Sequence, residues 1–494
     1  LWLNSHAEKE ESFQILTRLK LQNLQVLGND QYLVFQRQPP HTNPLANFRK
    51  GDISILYPFL PGDRTPLKNQ LLKCTITEIN PQEVIVKLRN PQTNPDIFNI
   101  FEQWNLEPDH LDSSFTAMYR SLFAFAQAPA PKRQLLLARQ APRQSQAPLP
   151  ALPYAQLTAQ QAQVLQQMIR AQDYFLLWGP PGTGKTSVML KHFIQYILEH
   201  TKEDLLLLAY TNRAVDEVCA AIHAIGPEAI AQYLRIGSTF STDPAYVPQL
   251  LNKKIEQANS RAAILDLLER HRIFVGTVAS FSGKQELIRL KQFKRVVIDE
   301  ASQILEPNLV GLLPLFEQFI LIGDHKQLPA VVVQPPEASA VTDTALQEIG
   351  LVNLRNSLFE RLYKQSIKHN WHWAFAKLSY QGRMHRTIMA FPNVHFYEKM
   401  LHILPDTIPA GLKQARPIAW QPPAEGQLLE EWICKRRFFF LPTPADQSSS
   451  NYKTNRHEAA AIVQLIRAFE RIWETNESKF SLEDIGIITP YRAQ

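Results

Sequence analysis

The stretch Gly179-Pro180-Pro181-Gly182-Thr183-Gly184-Lys185-Thr186 constrains the fold more than any other part of the chain. It fits G-x-x-x-x-G-K-[ST], the spacing of a loop that cradles phosphate. Such a loop works only between a buried strand and a helix, and both flanks comply. Tyr174-Phe175-Leu176-Leu177-Trp178 is a short apolar run of strand character. Beyond Thr186, apolar residues at Leu190, Phe193, Ile194, Ile197 and Leu198 recur at amphipathic-helix spacing. The cofactor-binding positions would be Gly179, Pro180, Gly182, Thr183 and Gly184, the glycines letting backbone N–H groups close around phosphate oxygens and the helix start adding positive potential. Lys185 can reach the outer phosphates, and the Thr186 hydroxyl can hold Mg²⁺.

The same strand–helix rhythm continues downstream. Strands are expected at Leu205–Ala209, Ile273–Gly276, Arg295–Ile298 and Phe319–Ile322, each followed by a helix-like stretch. That implies a parallel α/β sheet with ligands outside the strands' carboxyl ends. A polar helical insertion, about 237–270, interrupts the rhythm. After a loop at Gln334–Ala340, runs at Lys377–Ser379, Phe438–Leu441 and Ile485–Thr489 read as a second α/β unit cut short. Upstream, Glu8 to about Leu27 suggests a helix. The runs Ile53–Tyr57, Leu71–Ile79 and Glu83–Arg89, punctuated by turns such as Pro61-Gly62-Asp63, suggest a small antiparallel barrel or sandwich. The expected domains are an accessory helix and barrel (1–125), a Pro/Ala/Gln-rich connector (126–153), a first P-loop domain (154–335) and a truncated second one (336–494).

With 52 basic and 46 acidic residues the net charge is +6, which permits contact with nucleic acid without requiring it. Cys74, Cys219 and Cys434 lie far apart with no C-x-x-C spacing, arguing against metal clusters or a disulfide framework and for a reducing compartment. No apolar run is long enough to span a membrane. The expected location is cytoplasmic in a prokaryote, or nuclear in a eukaryote. Starting at Leu1 and stopping at Gln494, the chain reads as a fragment of something longer.

Arg295-Val296-Val297-Ile298-Asp299-Glu300 is a strand ending in two carboxylates. Alone that is a solvated strand end. Downstream of a phosphate loop, Asp299 suits the metal's water shell and Glu300 suits orienting and deprotonating an attacking water. In Leu321-Ile322-Gly323-Asp324-His325-Lys326-Gln327-Leu328-Pro329, the neutral amide of Gln327 can sense whether a terminal phosphate is present. His325 reads as a surface residue.

Taken together these segments resemble superfamily-one, AAA-type P-loop helicases of the 5′-to-3′ branch that holds the nonsense-mediated-decay helicase and the Okazaki-fragment helicase–nuclease. Leu157-Thr158-Ala159-Gln160-Gln161 is similar to the adenine-reading element, which implies base contact by Gln161. Tyr210 to Asp216 and Gly276 to Ser280 resemble strand-binding elements, and Asp299-Glu300-Ala301-Ser302-Gln303 has this branch's form of the carboxylate motif. Gln381-Gly382-Arg383-Met384-His385 resembles the element that supplies an arginine finger, here Arg383, and Ile485 to Gln494 resembles a later strand and strand-contacting loop. Trp104, Ser114 to Met118 and Pro131 to Leu137 resemble the end of the accessory barrel and the connector behind it, the latter more as in the helicase–nuclease.

The resemblance implies two RecA-like domains, the second incomplete, preceded by a β-barrel. It implies an ATP- and Mg²⁺-dependent helicase or translocase on single-stranded nucleic acid, DNA favoured over RNA, in replication and repair. Catalytic roles would fall to Lys185, Asp299, Glu300, Gln327 and Arg383, and strand contacts to Thr211, Asn212, Thr277, Ser280, Thr489 and Tyr491. The protein would be monomeric, with any nuclease domain outside this chain. An ATP-gated clamp or RNA–protein remodeller that never separates strands shares the same motifs, and a P-loop ATPase that never meets nucleic acid fits them less well. There are departures. Gly382 stands where the family has a base-stacking tyrosine, so base discrimination is expected to be weak unless Tyr380 substitutes. The later motifs, including a second arginine, have no counterpart before Gln494, so the fragment alone is expected to be weakly active or inactive.

Overall fold

The computed structural model describes residues 5–11, 13–38, 46–60, 70–109, 113–150, 157–282, 286–332, 334–405, 408–426, 428–447, 454–491 and 494. The turn at Pro61-Gly62-Asp63 and the pair Arg492-Ala493 lie outside them. The chain divides into two compact units, Asp112–Arg416 and a second made of Leu1–Leu111 with Pro417–Gln494.

The N-terminal part is a closed antiparallel barrel. Its strands are β1 (Leu16–Leu27), β2 (Asp30–Gln36), β3 (Ile53–Pro58), β4 (Leu72–Ile79), β5 (Glu83–Leu88) and β6 (Gln103–Pro108), in the order β1-β2-β5-β4-β3-β6. Alternation does the work: in β2, Gln31, Leu33 and Phe35 point inward and are buried. Trp104 fills the centre against Phe35, Phe98 and Phe101. The helix expected from Glu8 to Leu27 is instead a short helix, His6–Glu11, followed by β1. The cause is visible. Two register shifts, between Leu16 and Leu19 and between Leu21 and Asn23, interrupt β1, and Arg18 is left-handed at φ 54°. Each bulge adds a residue, so inward positions are spaced by three and imitate a helix.

The larger unit is built on an all-parallel sheet. Strands β7 (Tyr174–Trp178), β8 (Leu205–Ala209), β9 (Tyr233–Ile236), β10 (Ile273–Thr277), β11 (Arg295–Asp299), β12 (Gln318–Gly323) and β13 (Phe375–Lys377) lie in the order β13-β7-β12-β11-β8-β10-β9. Both faces are covered, which is why the strands are apolar runs rather than alternating ones. Tyr174, Leu176 and Trp178 of β7 join one core, and Phe175 and Leu177 join the other. The 237–270 insertion carries helices Leu251–Glu256 and Arg261–Arg270. The connector is ordered where described: its helix Ala130–Leu136 buries Leu135 and Leu136, and Lys132 Nζ donates to the carbonyls of Phe316 and Glu317 at 2.7 and 2.9 Å.

The run expected to open a second sheet does not do so. β13 pairs in parallel with β7 and extends the first sheet. Behind it, among the described residues, a two-stranded pair forms, β14 (Tyr380–Gln381) with β15 (His402–Ile403). Phe438–Leu441 and Ile485–Thr489 carry no ladder hydrogen bonds among the described residues, and Phe440 and Ile488 are 83% and 95% exposed. An apolar strand holds its conformation only with neighbours to bond and two faces to pack. In that C-terminal part, helices Leu428–Lys435 and Arg456–Thr475 pack through Ile433, Cys434, Ala468 and Ile472. The buried Glu430 carboxylate is paired with Arg471.

Candidate functional site

The phosphate loop leaves the carboxyl end of β7. Gly182 and Gly184 both take left-handed backbone, φ 77° and 79°, which L-residues with side chains resist. At Gly179 a Cβ would stand 2.8 Å from the Lys185 Cβ. The Gly179 N–H donates to the Gly323 carbonyl at 3.1 Å, stapling the loop to β12. Residues Lys185–Leu190 open the helix as a π-helical turn, with Met189 N–H reaching Gly184 O at 2.9 Å, before the α-helix Lys191–His200.

Two strands away, β11 ends at Asp299, which is buried. The Thr186 hydroxyl donates to Asp299 Oδ2 at 2.6 Å, and Lys185 Nζ pairs with Glu300 Oε1 at 2.7 Å. Burial pushes the Asp299 carboxyl up to about 6, against the pull of the Lys185 charge. Glu300 is left-handed at φ 53°, a strained conformation for a residue with a long side chain. That turn aims its carboxylate back across the loop mouth. A hydroxyl beside a carboxylate is a hard-oxygen pair of the type Mg²⁺ takes when phosphates and waters complete the shell, so the donor set fits that ion.

The opposite wall is the segment around β14. Gly382 N–H donates to the Gly182 carbonyl at 2.9 Å, and a Cβ on Gly182 would meet the Arg383 Cβ at 2.5 Å. Gln381, buried, holds the turn by accepting from the N–H groups of Arg383 and Met384 at 3.0 and 2.7 Å. Arg383 itself is exposed. Between the walls lies a cavity of about 700 Å³, lined by the loop together with Gln161, Glu300, Gln327, Tyr380, Arg383 and Leu404. That volume suits a nucleotide-sized ligand. Gln161 also closes a capping box with Thr158, its Oε1 accepting from the Thr158 N–H at 3.0 Å. Its Nε2 remains directed at the loop, 3.7 Å from a Cβ placed on Gly184.

The candidate strand-contacting residues divide. Thr211 caps the helix Asn212–His223 after β8, and Thr277 and Ser280 bond each other reciprocally at the end of β10. β8 and β10 are neighbours in register, Ala209 against Thr277, so these residues share one edge of the sheet. Thr489 and Tyr491 belong to the other compact unit, in an exposed turn where Tyr491 N–H donates to Thr489 Oγ1 at 3.3 Å.

One expectation fails here. His325 is not a surface residue: its ring lies 4.5 Å from Trp178 and 5.1 Å from Tyr363, and burial pulls its titration down to about 4. The polar run Asp324-His325-Lys326-Gln327 concealed this, because the covering rings come from elsewhere in the chain, Trp178 from β7 and Phe359 and Tyr363 from the helix Leu358–Lys368. Sequence reasoning also missed Tyr397 and Leu404. Neither has a local signal, since each acts only where the chain returns to the loop.

An AAA domain family model matches residues 156–260 and 247–335, and a second AAA domain model matches 354–494. The chain is 28% identical to the DNA replication ATP-dependent helicase/nuclease JHS1 of Arabidopsis thaliana over 88% of its own length and 32% of the relative's. It is 26% identical to the regulator of nonsense transcripts 1 homolog of Neurospora crassa, over 70% and 31%. Among solved structures, an arterivirus nonstructural protein 10 helicase in complex with DNA aligns over 72% of this chain and 59% of its own at TM-score 0.32 and 10% identity. The chain thus spans about a third of the length of the two curated relatives named. Taken with the two AAA domain matches, these likenesses place the chain in the superfamily-one helicases, in the branch of the replication helicase/nucleases and the regulators of nonsense transcripts.

Proposed function

We propose that the protein binds and hydrolyses ATP with Mg²⁺ and couples turnover to movement along single-stranded nucleic acid, DNA in preference to RNA, in the 5′-to-3′ sense. The observation that carries the reading is the shared cavity: a phosphate loop and an exposed arginine, Arg383, face one volume from segments about 200 residues apart in the chain. Thr186 and Asp299 would hold the metal, which when bound neutralises developing phosphate charge. Lys185, freed from Glu300, would neutralise the outer phosphates. Glu300, freed in turn, would orient and deprotonate the attacking water. A bound triphosphate would compete with Glu300 for Lys185. Gln327 would sense the terminal phosphate, and Arg383 would stabilise charge from the far wall, a role worth about 10³–10⁵ in rate. Thr211, Asn212, Thr277, Ser280, Thr489 and Tyr491 would contact phosphate and sugar, giving sequence-tolerant binding.

The test is ATP turnover by the chain in its full-length context with single-stranded DNA, with RNA, or with neither. Stimulation by DNA above RNA is expected, and Lys185→Ala should abolish nucleotide binding. Unchanged nucleotide affinity in that variant would remove the placement of the site, and equal turnover with and without nucleic acid would remove the coupling.

A further inference from the structure

Asp324 follows β12 and is fully buried, yet its carboxylate is satisfied by neutral donors. Oδ1 accepts from Trp178 Nε1 at 2.8 Å and from the Lys326 N–H at 3.1 Å. Oδ2 accepts from the Tyr397 hydroxyl at 2.7 Å and from Gln327 Nε2 at 2.8 Å. The side-chain donors come from separate places. Trp178 directly precedes the phosphate loop. Gln327 lines the cavity. Tyr397 follows the helix Arg386–His395, which continues from the Arg383 turn.

The two donors on Oδ2 are linked. The Gln327 amide cannot hold Asp324 and donate to a terminal phosphate at the same time through the same hydrogen. Leaving a carboxylate that is fully buried short of donors is costly, because burial withdraws it from bulk solvent. Tyr397 meets that cost when Gln327 turns away. We propose that Tyr397 is a positioning residue for triphosphate sensing: its hydroxyl keeps Asp324 Oδ2 satisfied, so that the Gln327 amide is free to move to the terminal phosphate. This rests on the reading that the cavity takes a nucleoside triphosphate. Burial and the hydrogen bond to Asp324 both push the Tyr397 hydroxyl well above its ordinary range, so it stays a donor at any working pH.

The experiment measures equilibrium dissociation constants for ADP and for a non-hydrolysable ATP analogue, with Mg²⁺, on the wild-type chain, Tyr397→Phe, Gln327→Ala and the double variant. Tyr397→Phe keeps the ring that packs beside Trp178 and removes only the hydroxyl. Without it, Asp324 grips Gln327 harder, and the preference for the analogue over ADP should fall about tenfold, the scale of one hydrogen bond to a charged group. ADP affinity should stay within twofold. On the Gln327→Ala background the same change should have no further effect, since Tyr397 acts through Gln327. An unchanged preference in Tyr397→Phe overturns the inference, as does an equal loss on the Gln327→Ala background, which would mark a merely structural hydroxyl. A wild-type chain that binds neither nucleotide overturns the nucleotide reading itself, and the inference with it.

Discussion

At the scale of single residues, the base end of the cavity departs most from the family pattern. Gly382 offers no ring, and a Cβ there would stand 2.7 Å from Leu404 Cδ1, so Leu404 fills the space a stacking side chain would need. Tyr380 lines the same cavity, but its ring is tilted against His402, with centroids 5.5 Å apart. On the proposed reading Gln161 would be left as the polar reader, with Oε1 already engaged by Thr158. ATP and GTP should therefore bind within a few-fold of each other. Gly382→Tyr alone should gain nothing because Leu404 blocks it, whereas Gly382→Tyr with Leu404→Ala should raise overall affinity through stacking. A large ATP preference in the unmodified protein would contradict this account. His325 supplies a second prediction. Its titration lies near 4 when folded and near the ordinary 6.5 when unfolded. Above about 6.5 neither state is protonated. Between 6.5 and 4 the unfolded chain binds the proton and the folded one does not, so stability falls as pH falls, and the loss levels off below 4. His325→Phe should flatten that limb of the denaturation profile while leaving stability at pH 8 within about 1 kcal/mol, as a ring among rings.

At the scale of elements, legibility followed burial on two faces. β7, β8, β10, β11 and β12 were readable because a parallel strand covered on both sides is a plain apolar run. β1 was misread because its bulges convert a period of two into alternating threes and twos. β13 was misassigned because a short edge strand says nothing about which sheet it joins. The phosphate loop and the carboxylate strand were legible as motifs, while the Asp324 network was not, since its donors meet only through long-range return of the chain. Packing of one element gives a further prediction. The helix Ser113–Gln127 lies directly on Gly311: a Cβ there would come within 2.2 Å of the Ser121 carbonyl oxygen, and the Gly311 N–H donates to Ser121 Oγ at 3.0 Å. Gly311→Ala must push the helix off, and overpacking of this kind costs about 1–3 kcal/mol. Because the helix does not line the cavity, thermal melting should fall while nucleotide affinity holds. A variant as stable as the parent would mean that the helix is not seated there.

At the scale of the whole molecule, the sheet is a plate that carries two candidate sites along one edge. Register aligns Gly323 with Trp178, and Asp299 and Thr277 each with Ala209, so the carboxyl ends of β7, β12, β11, β8 and β10 form one row. Adjacent strands are about 4.8 Å apart, which separates the phosphate loop from Thr277 by roughly 19 Å. At that distance a nucleotide and a nucleic-acid backbone do not compete for contacts, and coupling between them can pass through the plate, through the Arg383 wall, or along the helix Asn212–His223, whose Glu217, Ala220 and Ala221 line the cavity. The two functions should therefore separate by mutation. Lys185→Ala should lose nucleotide binding and keep the nucleotide-free affinity for single-stranded DNA. Asn212→Ala, at the start of the helix after β8, should do the reverse: nucleotide affinity unchanged, single-strand affinity lowered several-fold, and the stimulation of turnover lowered with it. Because the contacts would be to phosphate and sugar, the loss should be the same for oligonucleotides of any sequence, with a shallower salt dependence only if a charged contact is lost as well. A loss confined to some sequences would instead point to base reading at this edge, and no loss at all would move the strand-binding surface away from β8 and β10.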